Sequence, residues 1–384
     1  MLESQLIHGS SIWFKIVSVI VTGTITYLIY IINSSKANLE KDRTWFGKLW
    51  TNFLADYDKQ WNETKTKLEA SGCEYVTFDV DSSKTFGPRS QTKVHICGKR
   101  TNPALLLIPG FRNTSTMWVN NLQDLSKHYC VVTLDYPFDL GRSVHGYHHD
   151  GLVQNIADKR NMIKKTNFLS NEKSATMITT WINDILKALE IEQLSAIGGF
   201  SLGAYLSCLI ALHTPELLED KAKMFLLAPP ASFSSFRWLL LLPKILRTVW
   251  RDVSGLPLPT SLCMASNCQK DYNLEKKTGT AEDIDLEAVL KSYQVIDEVI
   301  QLSGTLPNIP FPVREFTMEE LQRIAEKFDP TYVCLEWDCW YHSDIAHQRA
   351  KDAGVKTIFV EKTTHRFPKT QPKKFHALAL EALL

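Results

Sequence analysis

Short runs that read as strands recur along the chain: EYVTFDV (Glu74 to Val80) and TKVHIC (Thr92 to Cys97), then the continuous apolar ALLLIPG ending at Gly110 and the similar YCVVTLD (Tyr129 to Asp135). Further along come LSAIGGF (Leu194 to Phe200), KMFLLA (Lys223 to Ala228), YVCLEW (Tyr332 to Trp337) and KTIFVE (Lys356 to Glu361). Runs of this length are strands, and the continuous ones are strands buried on both faces. Helical periodicity lies between several of them, notably over Ser174 to Leu189 and Leu202 to His213, with a last helix at Pro372 to Leu384. Strands alternating with helices build parallel βαβ units, hence an α/β fold with a mostly parallel central sheet covered on both faces. One interruption, Pro229 to Asp329, lacks strand signals and holds FRWLLLLPKILRTVW (Phe236 to Trp250). It reads as a helical cap, inserted at about residues 230–328 over the sheet's C-terminal edge, where open α/β sheets bind ligands.

The N-terminal region has a different pattern. Trp13 to Ile32 carries Lys15 as its only charge and is long enough to cross a ~30 Å hydrocarbon layer as one helix. Residues 1–36 are therefore expected to be a membrane anchor and 37–384 one catalytic domain. The alternatives are a signal peptide, whose positive n-region is missing although Ser35-Lys36-Ala37 could be cleaved, or a buried helix. Lys36, Lys41, Arg43 and Lys48 follow the span against Lys15 before its middle, which favours a cytoplasmic catalytic domain. The sequons at Asn33, Asn62 and Asn113 would be usable only on a lumenal side. Between 38 and 71 the residues Trp45, Phe46, Leu49, Trp50, Phe53, Leu54, Tyr57 and Trp61 form one apolar helical stripe, packed on the domain or lying on a membrane.

Composition narrows the function. The 384 residues carry 43 Lys+Arg against 42 Asp+Glu, which leaves no basic excess for a nucleic-acid partner. At 44% hydrophobic and 22% charged the chain is ordinary for a globular protein, which sets aside disordered and fibrous classes. Its eight cysteines show no Cys-x-x-Cys and no zinc spacing, so no metal is expected; Cys263 and Cys268 are close enough to form a disulfide in an oxidising compartment. His145, His148 and His149 look like a metal cluster but lack a carboxylate or cysteine at matching spacing, and read as a solvated loop.

Candidate chemistry centres on Gly199-Phe200-Ser201-Leu202-Gly203, which ends an apolar strand and opens an apolar helix. A serine on so sharp a turn sits in a strained conformation, and glycines on either side let the backbone close up. The helix N-terminus behind it favours developing negative charge. A serine hydroxyl needs a base, and His365 follows the last strand and precedes the final helix. The acid belongs on the loop after the preceding strand, where Glu336, Asp338 and Asp344 compete; Asp338 is chosen because it directly follows the strand. Ser343 and Asp344 read as the start and N-cap of the next helix. Two backbone N–H groups would hold the oxyanion, those of Leu202 and of Phe111 after Pro109-Gly110.

Together these residues resemble the α/β-hydrolase superfamily, and within it small bacterial carboxylesterases. The similarity runs from about Phe46 to the C-terminus and includes STMW (Ser115 to Trp118), LEIEQLSAIGGFSLGAY, APPASF and FPVREFTMEELQRI (Phe311 to Ile324). Matching DCWYHSDIAHQRA (Asp338 to Ala350) to such esterases also puts the acid at Asp338. The chain departs from the pattern in its N-terminal anchor, in the insert Gly146 to Lys173, and in Pro109, where a His-Gly pair is usual.

The resemblance implies a cofactor-free serine hydrolase that cleaves carboxylic esters through an acyl-enzyme; the apolar cap segment and the membrane anchor extend the expected substrates to lipid esters. The same triad serves thioesterases and acyltransferases. Epoxide hydrolases and haloalkane dehalogenases place Asp where this chain has Ser201. A membrane-tethered binding protein on an inactive hydrolase scaffold is the non-enzymatic alternative.

Overall fold

The computed structural model describes residues 51–137, 139, 141–143, 171–229, 264–290, 293, 314–338 and 342–384. The proposed anchor, the insert Gly146 to Lys173 over most of its length, the histidines 145, 148 and 149, the apolar segment 236–250 and Cys263 lie outside them. Among the described residues no helix is long and apolar enough to cross a membrane.

Helix α1 (51–70) leads into β1 (Tyr75–Asp81), β2 (Gln91–Cys97) and β3 (Ala104–Ile108). Helix α2 (Val119–Leu125), β4 (Cys130–Leu134), α3 (Asn171–Ala188), β5 (Leu194–Phe200), α4 (Leu202–His213) and β6 (Leu218–Leu227) follow. The C-terminal part holds α5 (Met264–Lys277), α6 (Met318–Lys327), β7 (Asp329–Trp337), α7 (Ser343–Asp352), β8 (Lys356–Thr364) and α8 (Pro372–Leu383). The strands form one sheet in the order β1-β2-β4-β3-β5-β6-β7-β8. β1 and β2 are antiparallel to their neighbours, and the rest of the sheet is parallel.

Side-chain alternation divides the core between the two faces. On β3, Ala104, Leu106 and Ile108 join one apolar cluster while Leu105 and Leu107 join the other, so a strand with no polar residue serves both layers. The first cluster includes α4, buried from Leu202 to Leu212, and the second includes α8 through Phe375, Ala379 and Leu383. Tyr57, Trp61 and Leu68 of α1 belong to the second cluster, so the Tyr57 and Trp61 end of that stripe packs on the domain.

Buried polar groups tie α1 to the sheet. Tyr57 Oη lies 2.6 Å from His95 Nε2 and donates to Asp135 Oδ2 at 2.8 Å, while Tyr75 Oη reaches His95 Nδ1 at 2.9 Å. Trp61 stacks parallel on the His95 ring at 3.7 Å. Burial holds the His95 imidazole well below its ordinary pKa and raises the Asp135 carboxyl.

The chain reverses direction across the sheet between β3 and β5: β4 lies on one side of β3 and β5 on the other. The crevice at the C-terminal ends of those two strands is where such a sheet binds ligands.

Candidate active site

Ser201 occupies the single-residue turn between β5 and α4, with φ 50° and ψ −113°. That backbone is unfavourable for a residue with a Cβ, and its neighbours hold it there. The Ser201 N–H donates to the Leu227 carbonyl at the end of β6 (2.8 Å), and its carbonyl accepts from Tyr205 N–H in α4 (3.1 Å). The flanking glycines are sterically required: a Cβ on Gly199 would overlap the backbone of Gly203 and Ala204, and one on Gly203 would overlap the Ile108 and Pro109 carbonyls. The close approach at Gly203 also brings the end of β3 against the start of α4.

His365 follows β8 and Asp338 follows β7, adjacent parallel strands. Their side chains meet, His365 Nδ1 at 2.6 Å from Asp338 Oδ2, with Asp338 fully buried and His365 5% exposed. The competing acids point elsewhere. Glu336 is exposed and accepts from the Lys362 N–H at 2.5 Å, and Asp344 is exposed in the first turn of α7. The N-cap of α7 is His342 rather than Ser343, because Ser343 already has a helical backbone and is buried as the first residue of the helix. Phe200, next to Ser201, places its ring 4.9 Å from that of His365, so the serine turn and the His–Asp pair share one corner of the sheet.

Phe111 and Leu202 lie on the two segments that Gly203 brings together. Leu202 is the first residue of α4, so its N–H has no acceptor inside the helix. Among the described residues neither it nor the Phe111 N–H donates a hydrogen bond to another group. The loop is fixed from behind: Arg112, at φ 60°, donates its N–H to Asp139 Oδ2 (2.5 Å), and the fully buried Tyr136 donates its hydroxyl to the Pro109 carbonyl (2.5 Å). Tyr136 organises the segment from which a His side chain is missing, a role that nothing in the sequence pattern marks. Among the described residues no group of His, Cys, Asp and Glu is arranged to hold a metal ion.

A strained serine between strand and helix, with a buried His–Asp pair after the last two parallel strands, defines a hydrolase-type α/β protein. The family model described as "Alpha/beta hydrolase family" matches residues 105–378, and the chain belongs to that family. No curated protein sequence matches. Among solved structures the chain is similar to the carboxylesterase CesB (YbfK) from Bacillus subtilis, 18% identical, covering 88% of this chain and 98% of that one with a TM-score of 0.58. The naproxen esterase (carboxylesterase NP) from Bacillus subtilis is 19% identical, with 85% and 96% covered and a TM-score of 0.56. A bacterial membrane phospholipase A is 16% identical, with 94% and 97% covered and a TM-score of 0.53. At these identities the likeness is one of fold.

Proposed function

We propose that the protein is a serine hydrolase that cleaves carboxylic esters through an acyl-enzyme, with Ser201 as nucleophile, His365 as base and Asp338 as the acid. The observation that carries the reading is the pairing of a strained Ser201 (φ 50°) with the buried 2.6 Å His365–Asp338 contact in the same corner of the sheet. Asp338 engages Nδ1, which assigns Nε2 to proton exchange with the serine. Ser201 Oγ bonds to the ester carbonyl carbon as its proton passes to Nε2. The N–H groups of Leu202 and Phe111 hold the resulting oxyanion, assisted by the N-terminus of α4. Collapse breaks the ester C–O bond, and the alcohol leaves with the proton from Nε2. Water then gives a proton to Nε2, its oxygen bonds to the acyl carbon, and the acid departs as the proton returns to Ser201. Asp338 stabilises the imidazolium in both halves.

The domain organisation in this reading is an anchor at residues 1–36, with a membrane helix over 13–32, and a catalytic domain at 37–384 on the cytoplasmic side. The substrate is a small-molecule ester, and the apolar segments 13–32 and 236–250 extend the range to lipid esters. Greater turnover of short soluble esters than of long acyl chains in micelles would remove that extension. Alkaline carbonate extraction tests the anchor: the full chain stays in the membrane pellet, and release into the supernatant would contradict it. For the chemistry, the purified protein cleaves a short p-nitrophenyl ester and Ser201→Ala does not. Equal turnover by the variant would overturn the assignment.

A further inference from the structure

The base is held from a side that the triad does not account for. Helix α5 runs along the end of β8, and Glu275, fully buried, accepts two hydrogen bonds at Oε1, from Thr364 N–H (2.8 Å) and Thr364 Oγ1 (2.7 Å). One turn earlier on the same helix, Asp271 Oδ2 stands 3.9 Å from Arg366 Nε. The Arg366 guanidinium carbon lies 5.0 Å over the ring of Tyr293. Thr364 and Arg366 are the two neighbours of His365 in the chain, so one helix grips the backbone before the base and the side chain after it. Just beyond the helix, Thr280 Oγ1 donates to the Lys362 carbonyl at 2.9 Å and extends the grip along β8.

Simple packing does not call for these carboxylates. Among the described residues, Asp271 Oδ2 and Glu275 Oε2 are buried oxygens that receive no hydrogen bond. Apolar residues of similar volume would fill the space without that desolvation cost. The charged and titratable groups facing Asp271 come from four segments: Glu275 and Cys268 on its own helix, Tyr293, His365 and Arg366 after β8, and Asp338 after β7.

Resting on the proposed role of His365 as the base, we propose that Asp271 and Glu275 are positioning residues for the hydrolysis. Glu275 fixes the backbone from which His365 projects, and Asp271 adds a second negative charge to the surroundings of the imidazole. Helix α5 thereby sets the aim of the base and places a second carboxylate beside its loop. Burial pushes the Asp271 carboxyl up to about 6, with Glu275 and Asp338 acting in the same direction and Arg366 and His365 against it. Asp271 thus ionises where an ordinary imidazole titrates, and the influence is mutual: a protonated His365 favours the Asp271 anion, and the anion favours the imidazolium.

The test is the titration of His365 in the full-length chain, followed by NMR on histidine labelled at the ring carbon and assigned by the signal lost in His365→Gln. Kinetics on a short ester and thermal unfolding accompany it. Asp271→Asn removes the charge at constant shape, and the His365 midpoint should fall by about 0.5 to 1 pH unit, with the acidic limb of kcat/KM following it. Glu275→Leu removes the acceptor, and kcat should fall tenfold or more with little change in KM. Glu275→Gln keeps an acceptor for Thr364 and should recover most of that loss. A His365 midpoint unmoved in Asp271→Asn, or equal kcat in Glu275→Leu and Glu275→Gln, would overturn the proposal. If Glu275→Leu does not fold, the two isosteric variants carry the test, and a Glu275→Gln that loses kcat tenfold would overturn the positioning role. The midpoint needs no turnover: a shift in a chain that cleaves no ester would sink the hydrolase reading and leave the coupling standing. Hydrolysis with an unmoved midpoint would do the reverse.

Discussion

Replacing Asp338 by Asn probes the proposed mechanism with little change of shape. Asp338 is fully buried and lies 2.6 Å from His365 Nδ1, so solvent neither screens the pair nor replaces the lost partner. Two terms add. A charge-assisted hydrogen bond to the imidazolium is worth about 1.5–3 kcal/mol, and the neutral amide forfeits most of it. The amide also offers an N–H to Nδ1, which stabilises the tautomer protonated at Nε2, the one that cannot accept the Ser201 proton. Together they raise the barrier by about 4–5.5 kcal/mol, a loss of about 10³ to 10⁴ in kcat with KM nearly unchanged. The assay is steady-state hydrolysis of a short p-nitrophenyl ester above the imidazole titration range, with the melting temperature recorded alongside. A folded Asp338→Asn protein that keeps more than a tenth of wild-type kcat would refute the role of Asp338. Loss of activity in Glu336→Gln instead would move the acid to the residue two positions earlier.

Other outcomes follow from the same contacts. Gly203→Ala drives a Cβ into the Ile108 and Pro109 carbonyls, so the variant should lose about 1–3 kcal/mol in urea unfolding and lose reaction with serine-directed probes; a variant as stable and reactive as wild type would contradict the close approach. Tyr57→Phe removes the hydroxyl between His95 and Asp135 and leaves both buried groups short of a partner, an expected cost of about 1–3 kcal/mol; an unchanged urea midpoint would refute it. Because burial depresses the His95 pKa in the folded chain, the unfolded chain binds the extra proton as pH falls below about 6.5. Stability conferred by the neutral imidazole is therefore present above that pH and declines below it, by up to about 1.4 kcal/mol per pH unit. His95→Gln should flatten unfolding free energy against pH between about 6.5 and 5, and an equally steep profile would contradict the reading.

The sequence reveals the parts that depend on local pattern. The strand and helix around Ser201 were readable to the residue, Leu194 to Phe200 and Leu202 to His213, because an unbroken apolar run meets an all-apolar helix at two obligatory glycines. The apolar pattern of β6 begins only at Lys223, because the preceding LEDKA is largely exposed and polar and bulges from the ladder, pairing with β5 only at Leu218. β8 runs three residues further than its apolar core, through Lys362 with φ 53°, to deliver His365. Asp338 is preferred to Glu336 because it directly follows the strand, whereas Glu336 lies within β7 and is exposed. Asp271 and Glu275 sit in a helix that reads as polar, MASNCQKDYNLEKK, and a linear pattern cannot distinguish a buried carboxylate facing a histidine loop from a solvated one. The same limit hid Tyr136 behind Pro109 and His95 beneath Trp61, contacts made across 27 and 34 positions of the chain.

The most direct test is covalent labelling with a fluorophosphonate probe, applied to membranes from cells expressing the wild-type chain and the Ser201→Ala variant and resolved on a gel. Wild type should give a labelled band at the mass of the full chain, lost in Ser201→Ala at equal protein level. A folded wild-type protein that takes no label, or a Ser201→Ala variant that labels equally, would contradict the role of Ser201 as nucleophile.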